Sequence, residues 1–282
     1  MKRILVCVDG SPYAEPVCQL ATWWACSIDA GVHVIYISDL RQFEIPVCAD
    51  LSGSLGVQPY QGVTAHMQKI EKDKAGVLEQ TCRGYFDQAG MDPDRVTFEH
   101  STGFLVDTIE KIQSEYLGIV IGKRGENADY AKGHLGSMME RIVRNATVPV
   151  CISARQYNAC DNVLLAFDGS EHARKALDFV ASGSMFAKCT VSVVSVAEDR
   201  DAEQYAETLR EAESKIENLS TEVSFQLLGG EPEDTIAAFV EENEIDLMIM
   251  GAYGHSRIRN FFIGSTTSEM IRRCKIPIMC FR

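Results

Sequence analysis

The stretch RILVCVDGSPYAEPV at 3–17 decides the fold, because the chain repeats it at 162–176 as NVLLAFDGSEHARKA. Each copy begins with an apolar run and reaches Asp-Gly-Ser just before an amphipathic stretch. This pattern is typical of a buried strand that turns into a helix. The repeat pairs Asp9 with Asp168, so the chain is expected to contain the same structural unit twice.

Three further segments repeat in the same order, which extends the match to most of the chain. They are VTFEHSTGFLVDTI (96–109) with VSFQLLGGEPEDTI (223–236), LGIVIGKRG (117–125) with DLMIMGAYG (246–254), and LGSMMERIVRNATVPVCI (135–152) with IGSTTSEMIRRCKIPIMC (263–280).

The repeat predicts two domains, 1–153 and 162–282, joined by a short linker at 154–161. The first copy is longer, and its extra residues fall between its second and third strands, at about 40–75. That insertion is rich in Gly, Ser and Pro at its start, which favours a long loop leading into a helix.

Each copy contains five apolar runs separated by amphipathic stretches, at 13–29, 64–89, 104–115 and 137–146 in the first copy. Parallel strands need crossover connections, so this alternation predicts an α/β fold of two tandem Rossmann-like domains. Each domain is expected to be a five-stranded parallel sheet with helices on both faces. Ligands of such sheets bind beyond the carboxyl ends of the strands, where the strand order reverses.

The net charge and the lengths of the apolar runs argue against several classes of protein. The 282 residues carry a net charge of −13, which argues against a general nucleic-acid binder, since such a protein needs a basic face. No apolar run approaches the roughly 18 residues of a membrane span, so no membrane insertion is expected. The apolar run near the start, ILVCV, is shorter than the core of a signal peptide, which has at least about 7 apolar residues.

Ten cysteines are present, without a CxxC pair or a spacing typical of zinc. Cys7, Cys151, Cys189 and Cys280 lie inside apolar runs, where cysteine behaves as a small hydrophobic residue. We therefore expect reduced cysteines and a cytoplasmic location.

A glycine-rich stretch follows the fourth apolar run of the second copy, MGAYGHSRIRNFFIGSTTSEM at 250–270. Glycines let a ligand approach the backbone, and the helix predicted from Ser265 would present free N–H groups to an anion. His255 and Arg257 lie in this loop and could meet phosphate charge. The alternative is a simple turn with Ser265 capping the last helix.

Asp9 and Asp168 also leave two interpretations open. Each follows the first strand of its copy, where a carboxylate could accept a hydrogen bond from a ribose hydroxyl or an exocyclic amine. Each could equally cap the helix that follows, because Asp-Gly-Ser before an amphipathic stretch suits a helix start.

Together these motifs resemble the universal stress protein family, whose nucleotide-binding branch carries Gly-x2-Gly-x9-Gly-Ser/Thr after strand four. The second copy matches without a gap, and the resemblance covers nearly the whole chain as two tandem copies. It implies ATP over the carboxyl edge of the sheet. The residues implied to hold it are Asp168 beside the adenosine, Val196 at the adenine, and Gly251, Gly254, Gly264, Ser265 and Thr266 along the ribose and phosphates.

The first copy departs from the family pattern. Ten residues, not nine, separate Gly125 from Gly136, and Met138 stands where the second copy has Thr266. The resemblance leaves it a degenerate site, in which Lys123 and Arg124 could compensate with charge. That weaker site comprises Asp9, Ile37, Gly122, Gly125, Gly136 and Ser137.

Family members commonly dimerise through strand five. By this resemblance the two copies pair 148–152 with 276–280 within one chain, and both strands carry a proline at the second position, which suits an edge. Association of two chains into a homodimer is a further expectation.

The resemblance implies a cytoplasmic ATP-binding sensor or regulator of the stress response, with Mg²⁺ accompanying the nucleotide. No catalytic residue and no protein metal site can be named from the residues, so at most slow hydrolysis or self-phosphorylation is expected. Two alternatives remain. One is a protein-interaction scaffold of the same fold without nucleotide, and the other is an adenine-nucleotide hydrolase or transferase that would use the 40–75 insertion as its substrate site.

Overall fold

The computed structural model describes residues 1–39, 61–125, 136–183, 185–197, 202–216, 219, 221–252 and 265–282. The first part of the predicted insertion, 40–60, lies outside these residues. The remainder of the insertion belongs to a helix that begins at residue 61.

Strands and helices alternate through both halves of the chain. The first half contains β1 (Arg3–Cys7), α1 (Ala14–Ser27), β2 (Gly31–Ser38), α2 (Gln61–Gln88), β3 (Val96–Thr102), α3 (Leu105–Ile112), β4 (Ile119–Gly122), α4 (Ser137–Asn145) and β5 (Val150–Ser153). The second half contains β6 (Asn162–Ala166), α5 (Glu171–Ala181), β7 (Thr190–Ala197), α6 (Ala202–Ile216), β8 (Val223–Gly229), α7 (Pro232–Glu242), β9 (Leu247–Gly251), α8 (Ser265–Arg273) and β10 (Ile278–Phe281).

All the strands belong to one ten-stranded sheet with the order β3-β2-β1-β4-β5-β10-β9-β6-β7-β8. Within each half the five strands pair in parallel. The halves join where β5 pairs antiparallel with β10, with Cys151 opposite Met279. These are the strands through which the family resemblance implies that the two copies pair. The predicted α/β fold with tandem parallel sheets is confirmed.

The strand order reverses at the first strand of each half. The chain runs from β1 to β2 and β3 on one side, then crosses to β4 and β5 on the other. In the second half β6 lies between β7 and β9 in the same way. The carboxyl ends of β1 and β6 are therefore the topological switch points at which open α/β sheets bind ligands.

Helices cover both faces of the sheet and bury its apolar residues. One core cluster contains Val17 of α1 and Leu78 of α2 together with Ala176 of α5 and Ala212 of α6. The cluster on the opposite face includes residues of α3, α4, α7 and α8. Each cluster contains residues of both halves, so the hydrophobic core is continuous across the junction between them.

Aromatic side chains of the two halves also contact each other beside the sheet. The ring centroid of Trp23 lies 6.5 Å from that of Phe186, and the rings of Trp24 and Phe179 are 6.4 Å apart in an edge-to-face arrangement. Gly118 makes room for this packing, because a Cβ there would lie 2.2 Å from the Trp24 ring. Helix α1 of the first half is thus packed against the second half.

Two further observations concern the described part of the chain. It contains no helix whose length and hydropathy suit a membrane crossing. Its nine cysteines are all unpaired, and eight of them are buried.

Candidate functional site

Asp168 and Asp9 occupy equivalent positions just beyond the two switch-point strands. Asp168 Oδ1 accepts a hydrogen bond from the Ser170 backbone N–H at 2.9 Å, and Asp9 Oδ1 accepts one from the Ser11 N–H at 3.0 Å. Ser170 in turn caps α5, since its Oγ accepts a hydrogen bond from the Ala173 N–H. One oxygen of each aspartate therefore shapes the strand-to-helix turn.

Gly251 ends β9, the strand next to β6, so it lies beside the turn that Asp168 shapes. A Cβ at Gly251 would lie 2.7 Å from the backbone nitrogen of Ala173 at the start of α5. Gly122 plays the same part in the first half, where a Cβ would lie 2.8 Å from the Cβ of Tyr13. Both glycines are therefore required for a close approach between strand and helix, whatever else they do.

Helix α8 begins at Ser265, at the same edge of the sheet as Gly251. Thr267 is buried and donates its hydroxyl to the carbonyl of Ala252, which ties the helix start to the end of β9. Thr266 donates its hydroxyl to Glu233 Oε1 at 2.8 Å. The start of α8 is thus fixed beside the β9 turn, with its first backbone N–H groups free of helical partners.

Glu233 is a residue at this edge that the sequence interpretation missed. It lies in the first turn of α7 and is half-buried next to Thr266. In the first half Val106 and Met138 stand at the two equivalent positions and belong to one apolar cluster. In the aligned repeats, Glu233 and Thr266 of the second copy stand opposite Val106 and Met138 of the first. This joint change from polar to apolar side chains could have identified Glu233.

Four of the predicted site residues lie outside the described residues, namely Gly254, His255, Arg257 and Gly264. The structure places Ser265 at the first position of α8. Val196 is buried one residue before the end of β7, and Ile37 holds the equivalent place in β2 with a half-exposed side chain. Both therefore lie close to the carboxyl edge of the sheet.

The first half brings its own candidate residues together differently. A Cβ at Gly125 would lie 2.8 Å from Asp9 Oδ2, so the loop after β4 passes close above that carboxylate. Gly136 caps α4, and its N–H donates to the carbonyl of Lys123 at 3.3 Å. Ser137, the first residue of α4, is exposed.

Lys123 is one of the two residues that could compensate with charge at the first-half loop. Its ammonium group instead donates to two carbonyls at the end of α8, those of Cys274 at 2.9 Å and Arg272 at 3.3 Å. Burial lowers the pKa of Lys123 to about 8, a shift that Cys274 opposes and Arg124 reinforces. The pairing of β5 with β10 brings the end of α8 within reach of Lys123.

A polar cluster occupies the carboxyl end of β2 in the first half. The hydroxyls of Tyr36 and Ser38 both donate to Glu71 Oε2 at 2.7 Å, and Ser38 Oγ lies 2.8 Å from His100 Nε2. Burial raises the pKa of Glu71, but these hydroxyl donors, with Lys74 and His100, outweigh it and leave the pKa lowered. This ionised carboxylate ties α2, and with it the insertion, to the edge of the sheet.

Comparison with known proteins gives consistent matches over the whole chain. The model of the universal stress protein family matches twice, at residues 1–153 and 160–282. Universal stress protein Slr1230 of Synechocystis sp. is 36% identical over 289 residues, covering 100% of both chains. A shorter relative, from Thermus aquaticus, is 25% identical and matches 43% of this chain with 97% of its own length.

Solved structures show the same fold. A universal stress protein from Archaeoglobus fulgidus superposes with a TM-score of 0.70 at 22% identity, covering 99% of this chain and 98% of its own. A protein of unknown function from Pseudomonas aeruginosa superposes with a TM-score of 0.63 at 14% identity, covering 100% and 92%.

Proposed function

The chain belongs to the universal stress protein family, and from this premise we propose that its second half binds ATP and that the protein acts as a cytoplasmic sensor or regulator of the stress response. The observation that carries the proposal is the juxtaposition of Asp168 and Gly251. They follow neighbouring strands at the switch point of the second half, where parallel sheets bind ligands.

The intact glycine motif supports a phosphate site at the same edge. Gly251, Gly254 and Gly264 keep the spacing of the family motif, and Ser265 and Thr266 begin α8 directly after it. Free N–H groups at a helix start, combined with the helix dipole, favour an anion. In this proposal His255 and Arg257, which belong to the same stretch of sequence, meet the phosphate charge.

The nucleoside would lie over the ends of β6 and β7. Asp168 Oδ1 is used by the turn, so a ribose hydroxyl would bind at Oδ2. Val196, near the end of β7, would contact the adenine from the sheet. An apolar contact from Val196 suits an adenine ring, and a carboxylate acceptor suits a ribose hydroxyl. The two together favour a nucleoside over a simple anion at this place.

Mg²⁺ would enter with ATP. Glu233 places a carboxylate beside Thr266, close to where the phosphates would lie, and a bare triphosphate would be repelled by it. A bound divalent cation offsets that repulsion, since carboxylate, hydroxyl and phosphate oxygens all suit Mg²⁺. The pair therefore fits MgATP better than free ATP.

We propose that the first half is a protein-interaction module and not a second ATP site. Asp9, Ile37, Gly122, Gly125, Gly136 and Ser137 keep the outline of a site. Two observations disfavour phosphate there: Met138 replaces the threonine, and Lys123 is directed to α8. The scaffold alternative thus applies to this half.

The proposed organisation keeps domain boundaries at 1–153 and 162–282, with 154–161 as a linker between β5 and β6. The unpaired cysteines suit a reducing compartment such as the cytoplasm. Association of two chains would use a surface other than strand five, because β5 and β10 already pair with each other.

The test is calorimetric titration of the full chain with MgATP, after mass spectrometry of any ligand released from the purified protein. Gly264→Val adds a branched side chain where the phosphates would approach, so we expect ATP binding to be lost. Gly84→Val is the matched control, because Gly84 lies on α2 with open space around it.

Wild-type binding at micromolar ATP, kept by the control and lost in Gly264→Val, is the expected result. No binding at millimolar ATP would contradict the proposal and favour the scaffold for both halves. Turnover that depends on a second substrate would instead favour the transferase alternative.

A further inference from the structure

Lys123 contacts elements of both halves: β5 and the start of α4 in the first half, and the end of α8 in the second. Its backbone N–H donates to the carbonyl of Ser153 at the end of β5, and its carbonyl accepts the N–H of Gly136, the residue that caps α4. The backbone of Lys123 is therefore part of the first-half loop, next to the start of α4.

The side chain of Lys123 crosses to the other half. Its Nζ donates to the carbonyls of Arg272 and Cys274 at the end of α8, and it is half-buried there. These carbonyls have no partner within the helix, so a cationic donor satisfies them and interacts favourably with the helix dipole. The other end of α8 is the proposed phosphate site.

Among the described residues, this connection runs from the first half to α8. Lys123 corresponds to Ala252 in the second half, whose methyl side chain cannot reach across to α4. Ala252 instead accepts the Thr267 hydroxyl at the start of α8. The first-half loop holds one end of α8, and the second-half loop holds the other.

We propose that Lys123 is a positioning residue through which the first-half glycine loop regulates ATP binding in the second half. This inference rests on the proposed function of the second half. Lys123 fixes the end of α8, so a displacement of the Lys123 backbone shifts the helix start that is proposed to receive the phosphates.

The structure offers a way to displace the loop locally. A Cβ at Gly136 would lie 3.2 Å from the Lys123 carbonyl, so Gly136→Ala pushes the Lys123 backbone by a few tenths of an ångström. Gly136 has a φ of −66°, which alanine adopts readily. Lys123→Met keeps an unbranched side chain that is one atom shorter, and it removes the donor to α8.

The experiment is a double-mutant cycle read by MgATP titration of the full chain. We expect Lys123→Met to weaken ATP binding by about fivefold or more, the lower end of coupling between sites. Lys123→Arg, which keeps a cationic donor, should restore most of the affinity. Lys111→Met, which removes an exposed lysine from α3, is the control for net charge.

The double-mutant cycle tests whether the effect of the loop on ATP affinity depends on Lys123. Gly136→Ala should change ATP affinity by about threefold or more when Lys123 is present and have little effect once Lys123 has become methionine. Equal effects in both backgrounds, no effect in either, or an unchanged affinity in Lys123→Met would overturn the inference while leaving the proposed function in place.

Failure of the proposed function is separable from failure of this inference. If the wild-type chain binds no ATP, backbone amide exchange of α8 measures the same cycle without nucleotide. Faster exchange in Lys123→Met, with no further response to Gly136→Ala, supports positioning of the helix by Lys123. Unchanged exchange in Lys123→Met overturns it.

Discussion

The side chain of Asp168 has one observed structural role and one proposed role in ligand binding. Oδ1 accepts the Ser170 N–H and shapes the turn, while Oδ2 is proposed to receive a ribose hydroxyl. Of the two interpretations of this aspartate in the sequence, capping is not observed, because Ser170 is the N-cap of α5 and Asp168 shapes the turn before it. Ligand binding stays a prediction. The turn and the proposed ligand contact use different oxygens. A substitution that separates them has to preserve an oxygen acceptor for the turn.

Asp168→Asn meets that requirement, because its amide oxygen can still accept the Ser170 N–H. The proposed ribose contact loses its charged acceptor, and hydrogen bonds to charged groups contribute about 1.5–3 kcal/mol. We therefore expect MgATP binding to weaken by about tenfold or more in calorimetric titration, with little change in melting temperature. Asp73→Asn, at an exposed position of α2, is the control.

An unchanged affinity in Asp168→Asn would contradict the role proposed for this carboxylate at the ribose. A large fall in melting temperature would show that the turn depends on the negative charge and not only on the oxygen.

At the level of elements, the sequence predicted the strands and helices well because their apolar periodicity is local. The amphipathic stretch at 137–146 predicts α4, which is Ser137–Asn145, and the stretch at 64–89 predicts most of α2. The repeat of Asp-Gly-Ser likewise located both switch-point turns.

Contacts between elements were predicted less well, because they depend on how distant segments pack. Thr266 and Glu233 are 33 positions apart, and only the packing of α7 beside α8 makes them partners. Lys123 could compensate with charge at its own loop, whereas the junction of β5 with β10 places the end of α8 within its reach. Neither contact follows from a pattern within a single copy.

The contact between Lys123 and α8 predicts a pH dependence of stability. Burial lowers the pKa of Lys123 from 10.5 to about 8 in the folded protein, whereas an unfolded chain keeps its ordinary value. Between these values the unfolded state binds more protons, so this group makes the free energy of unfolding rise with pH. Below pH 8 both states carry the proton, and the contribution is constant.

The measurement is urea unfolding of the wild type and Lys123→Met at several pH values from 7 to 10. Contributions from the other groups largely cancel in the difference between the two proteins. We expect that difference to grow in favour of the wild type as pH rises above about 8. A difference that stays flat would mean that the ammonium of Lys123 is not buried at the end of α8.

At the level of the whole molecule, the two halves share a sheet and a continuous core, and the aromatic side chains of α1 lie against the second half. The halves are therefore expected to unfold together. Phe186 is fully buried, and its ring contacts both Trp23 and Phe179, so it tests this cooperativity.

Phe186→Ala should lower the free energy of unfolding by about 3–5 kcal/mol, the usual cost of removing a buried aromatic side chain. We expect one cooperative transition at a lower denaturant concentration, with coincident changes in far-UV circular dichroism and tryptophan fluorescence. Both tryptophans lie in the first half, so two separate transitions would show that the halves are independent.

The central claim is that the second half, and not the first, holds the nucleotide. Photo-crosslinking of the full chain with 8-azido-ATP and Mg²⁺, followed by peptide mapping, tests it most directly. Label that is competed by ATP and mapped to β7 or the ends of β6 and β9 is the predicted result. Competed label confined to β1, β2 or β4 of the first half, or the absence of competed label, would contradict the claim.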